Sequence, residues 1–204
     1  MAVFVDLSIS LDGYIGGPNG GPANPLGDGG TRLHEWVFGQ EAWRASQGLP
    51  GGETGPDNDV IKEVRARAGA NVMGRRMFDE GEPNWPAEAP FHAPVFVLTH
   101  SPRDPWPRLG GTTFHFVTGS VEDAIEQAKA AAGGRDVQVN GGADMVRQAL
   151  RAGLVDDLQL HVAPITLGRG TRLFDGMDDL RLVPDRVIAS AGVTHLRYRV
   201  RSTS

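Results

Sequence analysis

Two short segments carry residue types at spacings that chemistry can use. The first is Asn71-Val72-Met73-Gly74-Arg75-Arg76-Met77-Phe78, an apolar strand, one glycine and two arginines opening a helical turn. The free N–H groups and positive dipole end of a helix start favour an anion, and arginine grips a phosphate with paired N–H groups. A solvated basic turn fits the same spacing. The second is Val137-Gln138-Val139-Asn140-Gly141-Gly142-Ala143-Asp144-Met145-Val146. Adjacent glycines between a buried strand and a helix let a phosphate approach the backbone. The same glycines also suit a plain tight turn, and Asp144 suits a first helical turn by dipole complementation before any ligand contact.

Other chemistries are missing. There is no G-x-x-x-x-G-K-[ST] and no G-x-G-x-x-G after a strand; Gly168-Arg169-Gly170 has Leu173 where a third glycine belongs. No G-x-S-x-G elbow for a serine hydrolase is present. The six histidines, His34, His92, His100, His115, His161 and His195, form no H-E-x-x-H and no close pair, so no metal site is expected. His115 and His161 read as packed or solvated strand residues. With no cysteine in the chain, disulfides, thiol nucleophiles and thiolate metal sites are excluded.

The elements that must position the two segments follow from periodicity. Val3, Val5, Leu7 and Ile9 alternate with Phe4, Asp6 and Ser8, which predicts a strand. Asp12 to Gly30 is dense in glycine, proline and asparagine and reads as loop. Leu33 to Gln47 has helical character, and Asp57 reads as the N-cap of a helix through Ala68 that Gly69 stops. Strands are expected at 70–73, 94–99, 113–117, 136–140 and 155–163, with a terminal pair at 181–190 and 193–201. Helices are expected after Ser120 and from Ala143 to Arg151, the latter closed by Gly153. Alternating strands and helices argue for an α/β fold with a largely parallel sheet made mixed by the terminal pair.

The chain has 204 residues and reads as one domain, 1–204. Its 28 glycines are uneven: 13 fall between Gly13 and Gly55, which reads as an expanded, mobile Gly/Pro-rich loop insert around 13–56. A net charge of −5 argues against nucleic acid as a partner. No apolar run approaches the roughly 18–20 residues of a membrane span, and Met1 to Asp6 lacks a basic signal-peptide start. A cytoplasmic protein with no membrane partner is expected.

Taken in order, several segments resemble one family. They are S-x-S-L-D-G-Y-I-G at 8–16, V-M-G-R-R-M-F at 72–78, V-F-V-L-T-H-S-P-R at 95–103, V-N-G-G-A-D-M-V-R-Q-A-L at 139–150 and the stretch from Gly153 to Phe174. The chain is similar to the dihydrofolate reductase-like superfamily, and within it to stand-alone proteins resembling the reductase domain of bacterial riboflavin biosynthesis. The resemblance runs from about Val3 to Val200. It implies a three-layer α/β/α fold with a mixed, mostly parallel central sheet and NADPH bound across its C-terminal edge. Gly74, Arg75 and Arg76 would meet the 2′-phosphate side of the cofactor. Thr99, His100 and Ser101 would flank the adenosine, and Gly141, Gly142, Ala143, Asp144 and Met145 would cradle the pyrophosphate. Leu11, Gly13, Ile15 and Gly16 would border the nicotinamide. Met77 stands where the family often has threonine and cannot donate a hydrogen bond.

The implied reaction is hydride transfer to a small heterocyclic, imine or carbonyl substrate, as in 5-amino-6-(5-phosphoribosylamino)uracil reductase. A zinc deaminase with H-x-E and P-C-x-x-C often accompanies that step and has no counterpart in this cysteine-free chain. A dihydrofolate- or pterin-type reductase, or a nucleotide-binding protein with little turnover, are the alternatives. Asp12 is the candidate proton donor, with an Asp-Gly turn as the other reading; Glu35 and Glu41 lie in the region where dihydrofolate reductases carry their acid. Trp36, Phe38, Phe78 and Trp85 are candidate substrate-pocket aromatics, although aromatics at such spacing also serve as core. The family implies a homodimer.

Overall fold

A computed structural model describes residues 1–201. Its backbone is a nine-stranded sheet in the order β10-β11-β8-β1-β7-β3-β4-β6-β5. The strands are β1 (Val3–Ser10), β3 (Ala68–Gly74), β4 (Pro94–Leu98), β5 (Trp106–Pro107), β6 (Thr113–Val117), β7 (Asp136–Gly141), β8 (Asp157–Ala163), β10 (Arg181–Ala189) and β11 (Thr194–Arg201). Strands β8, β1, β7, β3, β4 and β6 pair in parallel. At the edges, β11 runs antiparallel to β8, β10 to β11, and β5 to β6. The sheet is mixed and mostly parallel, as the strand–helix alternation predicts.

The two faces differ in chemistry. On one, Val3, Val5, Ile9, Ala70, Val72, Val137, Val139, Leu158 and Leu160 pack against α5 (Val121–Ala131) and α6 (Ala143–Arg151). Helix α5 starts with a reciprocal capping box, in which Asp123 N–H donates to Ser120 Oγ and Ser120 N–H to Asp123 Oδ2. On the other face, Met73, Val95 and Val97 pack with Phe78 of α4 (Arg75–Gly81) and with Phe114. Toward β1 and β8 that second face turns polar: Asp6, Ser8, Asn71, Gln138, Gln159, His161 and His195 alternate with the apolar positions. Ser8, Asn71, Gln159, His161 and His195 are nevertheless buried. Covering this region are a 3-10 turn (Gly30–His34), α1 (Glu35–Phe38), α2 (Glu41–Ser46) and α3 (Pro56–Arg67).

Several expectations are corrected. Leu33 to Gln47 is not one helix: it breaks at Gly39 and Gln40, where Glu53 N–H donates to Gly39 O. Helix α3 begins at Pro56 with Gly55 as N-cap, so Asp57 lies inside the first turn and its side chain is engaged elsewhere. Gly69 stops no helix. It is buried within β3, where a Cβ would collide with the Ala132 carbonyl and come 2.7 Å from Arg135 Cβ. The 12–30 stretch is not all loop, because β2 (Tyr14–Gly16) pairs with β9 (Thr171–Arg172). Gly170 permits that approach: its φ is +134°, and a side chain there would run into the Gly16 carbonyl. The stretch after β2 is folded back on itself by Gly17 N–H to Leu26 O at 2.7 Å and Asp28 N–H to Pro18 O at 2.8 Å.

Candidate active site

Two cavities meet at the C-terminal end of β1. The larger is a groove of about 700 Å³ across the ends of the parallel strands; the smaller is a chamber of about 430 Å³ between the polar sheet face and α3. Leu7, Ser8, His34 and Asn140 line both. Among the described residues, two buried polar atoms at this junction have no hydrogen-bond partner, His34 Nδ1 and Asn140 Oδ1. An unpaired buried polar group costs about 1–3 kcal/mol, so both atoms mark a place where a ligand with complementary groups would be stabilised. Burial, reinforced by the nearby His161, holds His34 down at about 4, so it is neutral at physiological pH.

The groove is built from loop and helix starts. Helix α6 has Gly142 as N-cap and no side-chain cap, unlike α5, so its first-turn N–H groups face the groove uncovered. A Cβ at Gly142 would meet nothing within 4 Å, which leaves the backbone there open to a ligand. Opposite lies the start of α4. Arg75 Nε donates to Asp79 Oδ1 at 2.6 Å and Arg76 Nε to Glu80 Oε1 at 2.8 Å, so both arginines are already paired along their own helix. Arg75 Nη1 also reaches Thr99 Oγ1 at 3.5 Å. Met77 lines the groove beside Gly141.

Of the residues singled out for cofactor contact, Gly74, Arg75, Arg76, Thr99, His100, Ser101, Gly141, Gly142, Ala143, Asp144, Met145, Ile15 and Gly16 all line this groove. Leu11 and Gly13 do not: Leu11 is 65% exposed with its N–H on Ile165 O, and Gly13 occupies the turn into β2 at φ +87°. Asp144 pairs with Arg147 and is largely exposed.

Asp12 has a different task from proton donation. Its Oδ1 accepts from Ser10 Oγ at 2.6 Å and Leu167 N–H at 3.1 Å, and its Oδ2 from Gly168 N–H at 2.7 Å. The Ser10 hydroxyl leads these donors in lowering its carboxyl to about 2. A carboxylate so held is ionised and ties the end of β1 to the loop after β8; it lines neither cavity. Glu35 and Glu41 line neither cavity either, and Glu41 is bound to Lys62 Nζ at 2.8 Å.

The four aromatics divide. Trp36 lines the chamber, donating from Nε1 to Ser8 Oγ at 3.1 Å and lying 4.8 Å from the His161 ring. Phe78 is fully buried in the second core cluster, where Trp85 stacks on Phe114 at 5.0 Å. Phe38 packs on Trp43. Phe78 and Trp85 are packing residues, and Phe38 is exposed and lines neither cavity. Sequence reasoning missed the chamber's own wall, the polar positions of β1, β3, β7 and β8, together with the pairing of His161 with His195. The available signal was polar residues alternating with apolar ones in strands that the topology buries.

The chain matches the RibD C-terminal domain family over residues 1–196. It belongs to that family. Membership supports a reductase-type function. Among solved structures, a pyrimidine reductase-like protein of Corynebacterium diphtheriae is 17% identical, with a TM-score of 0.61 over 99% of this chain and 92% of that one. A diaminohydroxyphosphoribosylaminopyrimidine deaminase/5-amino-6-(5-phosphoribosylamino)uracil reductase of Thermotoga maritima is 14% identical, with a TM-score of 0.60 over 98% of this chain and 56% of that chain. Dihydrofolate reductase of Enterococcus faecalis is 16% identical, with a TM-score of 0.51 over 98% and 97%. At such identities the likeness carries the fold, which is dihydrofolate reductase-like. Among the described residues, no helix is long and apolar enough to cross a membrane.

Proposed function

We propose that this chain is an NADPH-dependent reductase that takes the dinucleotide in the groove and a planar heterocyclic acceptor in the chamber. The observation that carries the reading is the uncapped start of α6, with Gly141 and Gly142 at its threshold, facing Gly74-Arg75-Arg76 across one groove. Uncovered N–H groups and a helix dipole suit a pyrophosphate, and two guanidiniums suit the additional 2′-phosphate. Thr99, His100 and Ser101 would border the adenosine. Ile15, Gly16 and the orphaned Asn140 Oδ1 and His34 Nδ1 would lie around the nicotinamide, which supplies a hydride when the cofactor is bound.

The chamber's share is orientation and exclusion of water. Asn71, Gln138 and Asn140 present carboxamides from neighbouring strands, and Trp36 presents a ring. Carboxamides pair with the lactam and amino edges of a pyrimidine or pterin, each offering both donors and an acceptor. Arg135 also lines the chamber, makes no ion pair among the described residues, and suits a substrate phosphate. The acceptor that combines these chemistries is 5-amino-6-(5-phosphoribosylamino)uracil, the compound named for the Thermotoga maritima protein.

The test is NADPH consumption by the purified chain with that pyrimidine, dihydrofolate and simple carbonyls, with the product identified by mass spectrometry. Consumption with the pyrimidine and formation of its ribityl product are expected. Tight NADPH binding without consumption on any acceptor would replace this reading with that of a nucleotide-binding protein.

A further inference from the structure

Four titratable side chains, three on the buried polar face and one on α3, form a continuous hydrogen-bonded chain. In the antiparallel register of β8 and β11, His161 and His195 stand directly opposite. Their Nδ1 atoms are 2.7 Å apart. Each ring turns its Nε2 to a carboxylate, His161 to Asp6 Oδ1 at 2.9 Å and His195 to Asp57 Oδ1 at 3.0 Å. Ser190 Oγ donates to Asp57 Oδ2 at 2.9 Å, and the Trp36 ring lies 4.8 Å and 5.0 Å from the two imidazoles. Both imidazole side chains are 4% exposed, whereas Asp6 is 16% and Asp57 17% exposed. The middle is sealed and the ends are open. Asp6 opens into the chamber, while Asp57, in the first turn of α3, lines neither cavity.

Proton counting shows what this chain stores. Two bare nitrogen lone pairs do not face each other at 2.7 Å, so one proton lies between the rings, and one lies in each contact to a carboxylate. Three protons fill three contacts. With both carboxylates ionised, the two rings together hold one proton more than two neutral imidazoles would. Moving the proton of the Asp6 contact from His161 Nε2 to Asp6 leaves both rings neutral and brings that proton to the chamber wall.

The surroundings leave the chain to itself. His34 on the chamber side is neutral. Arg65 of α3 donates to Ala42 O at 2.6 Å and Ser46 Oγ at 3.1 Å. Arg197, two residues beyond His195, is held by Asp185 and Glu63. Burial lowers the basicity of His195, and the Asp57 hydrogen bond opposes that.

We propose that Asp6, His161, His195 and Asp57 form a proton wire that holds one proton on its imidazoles between two carboxylates and releases it through Asp6 to the acceptor in the chamber. The inference rests on the reductase reading. The acceptor is a C=N or C=O group whose carbon receives a hydride, with its two electrons, from a reduced nicotinamide. The displaced π pair moves to nitrogen or oxygen, which takes the proton as the Asp6 O–H bond breaks. Asp6 remains as a carboxylate beside two neutral rings until water in the chamber returns a proton through it to His161 Nε2. Asp6 is the catalytic acid; His161, His195 and Asp57 are positioning residues that act through it.

The first measurement needs no turnover: nitrogen-15 spectra of the full chain labelled at histidine, without cofactor or acceptor. A far-downfield proton coupled to Nδ1 of both His161 and His195 is expected. Asp57→Asn removes a carboxylate facing the pair, so the pH at which that proton is lost falls by about one to three units. In NADPH turnover with 5-amino-6-(5-phosphoribosylamino)uracil, Asp6→Asn lowers kcat by about a hundredfold or more. Asp57→Asn lowers kcat with KM unchanged and moves its alkaline limb down, and Asp57→Glu restores both. His195→Gln serves as the second break should Asp57→Asn fail to fold. No shared proton overturns the wire, as does wild-type kcat in Asp6→Asn. A variant that loses thermal stability while its resonance and kcat profile stay in place overturns it too. A wild-type chain that fails to consume NADPH on every acceptor tried removes the reductase reading instead, and the resonance with its shift then decides the wire alone.

Discussion

Replacing Arg75 with alanine tests the cofactor assignment through a difference between two ligands. Arg75 is partly exposed and holds Asp79 at 2.6 Å within its own helix. A charge-assisted hydrogen bond to a phosphate is worth about 1.5–3 kcal/mol. Withdrawing the guanidinium from an exposed i,i+4 partner returns about 0.3–0.5 kcal/mol of that. The net loss in Arg75→Ala is therefore about 1–2.5 kcal/mol, or about 5- to 70-fold in Kd for NADPH. Arg76 is more exposed, so Arg76→Ala is expected to cost less, about 2- to 5-fold. NADH, lacking the 2′-phosphate, should lose less than about twofold in either variant. Asp79→Asn removes a competing carboxylate and should tighten NADPH alone. Titration calorimetry with both dinucleotides measures all of this. Equal weakening of NADH and NADPH in Arg75→Ala, or none in either, refutes placement of the 2′-phosphate at the start of α4.

Asp12 predicts a pH dependence of stability rather than of catalysis. Its folded carboxyl lies at about 2, below its ordinary 3.8, so the stability it contributes is present above pH 4 and is lost as pH falls toward 2. Asp12→Asn should flatten acid unfolding in that window, while the pH profile of turnover above pH 5 stays unchanged. Ser120→Ala removes one half of the α5 capping box and should lower stability by about 1 kcal/mol, read as a fall in Tm of about 2–4 °C. Gly69→Ala forces a methyl against the Ala132 carbonyl and should cost about 1–3 kcal/mol by denaturant titration. Sedimentation should give a homodimer, since strand β10 leaves an outer edge unpaired and carries Val187 at 63% exposure; a monomer at micromolar concentration would refute this.

Much of the frame was legible because periodicity is local. Thr113–Val117 and Ala143–Arg151 fall where the pattern of apolar residues puts them, and Ser120 with Asp123 announces its helix within four residues. Two pieces of the groove were legible for a related reason: Gly74 and Gly141-Gly142 each join a strand end to a helix start. The chamber was not. His161 and His195 meet only because β11 returns antiparallel beside β8, and Tyr14 pairs with Arg172 across most of the chain. Polar residues alternating in β1 and β8 look the same in sequence whether they face solvent or a covered cavity. Phe78 and Trp85 show the converse error, because an aromatic side chain carries no local sign of whether it closes a core or lines a pocket.

The unequal faces of the sheet also divide the molecule's resistance to opening. Strand β6, helix α5, strand β7, helix α6 and strand β8 follow one another in the chain and contribute much of the apolar packing of one face. The stretch that covers the polar face, from the Gly30 turn through α2, adds few buried apolar side chains, Leu33 and Ala42 among them. Amide exchange in β7 and β8 therefore tracks global unfolding, whereas amides of residues 17–55 exchange through local opening at a small fraction of that free energy. The chamber can then admit and release a substrate by loosening its cover while the cooperative unit beneath stays folded.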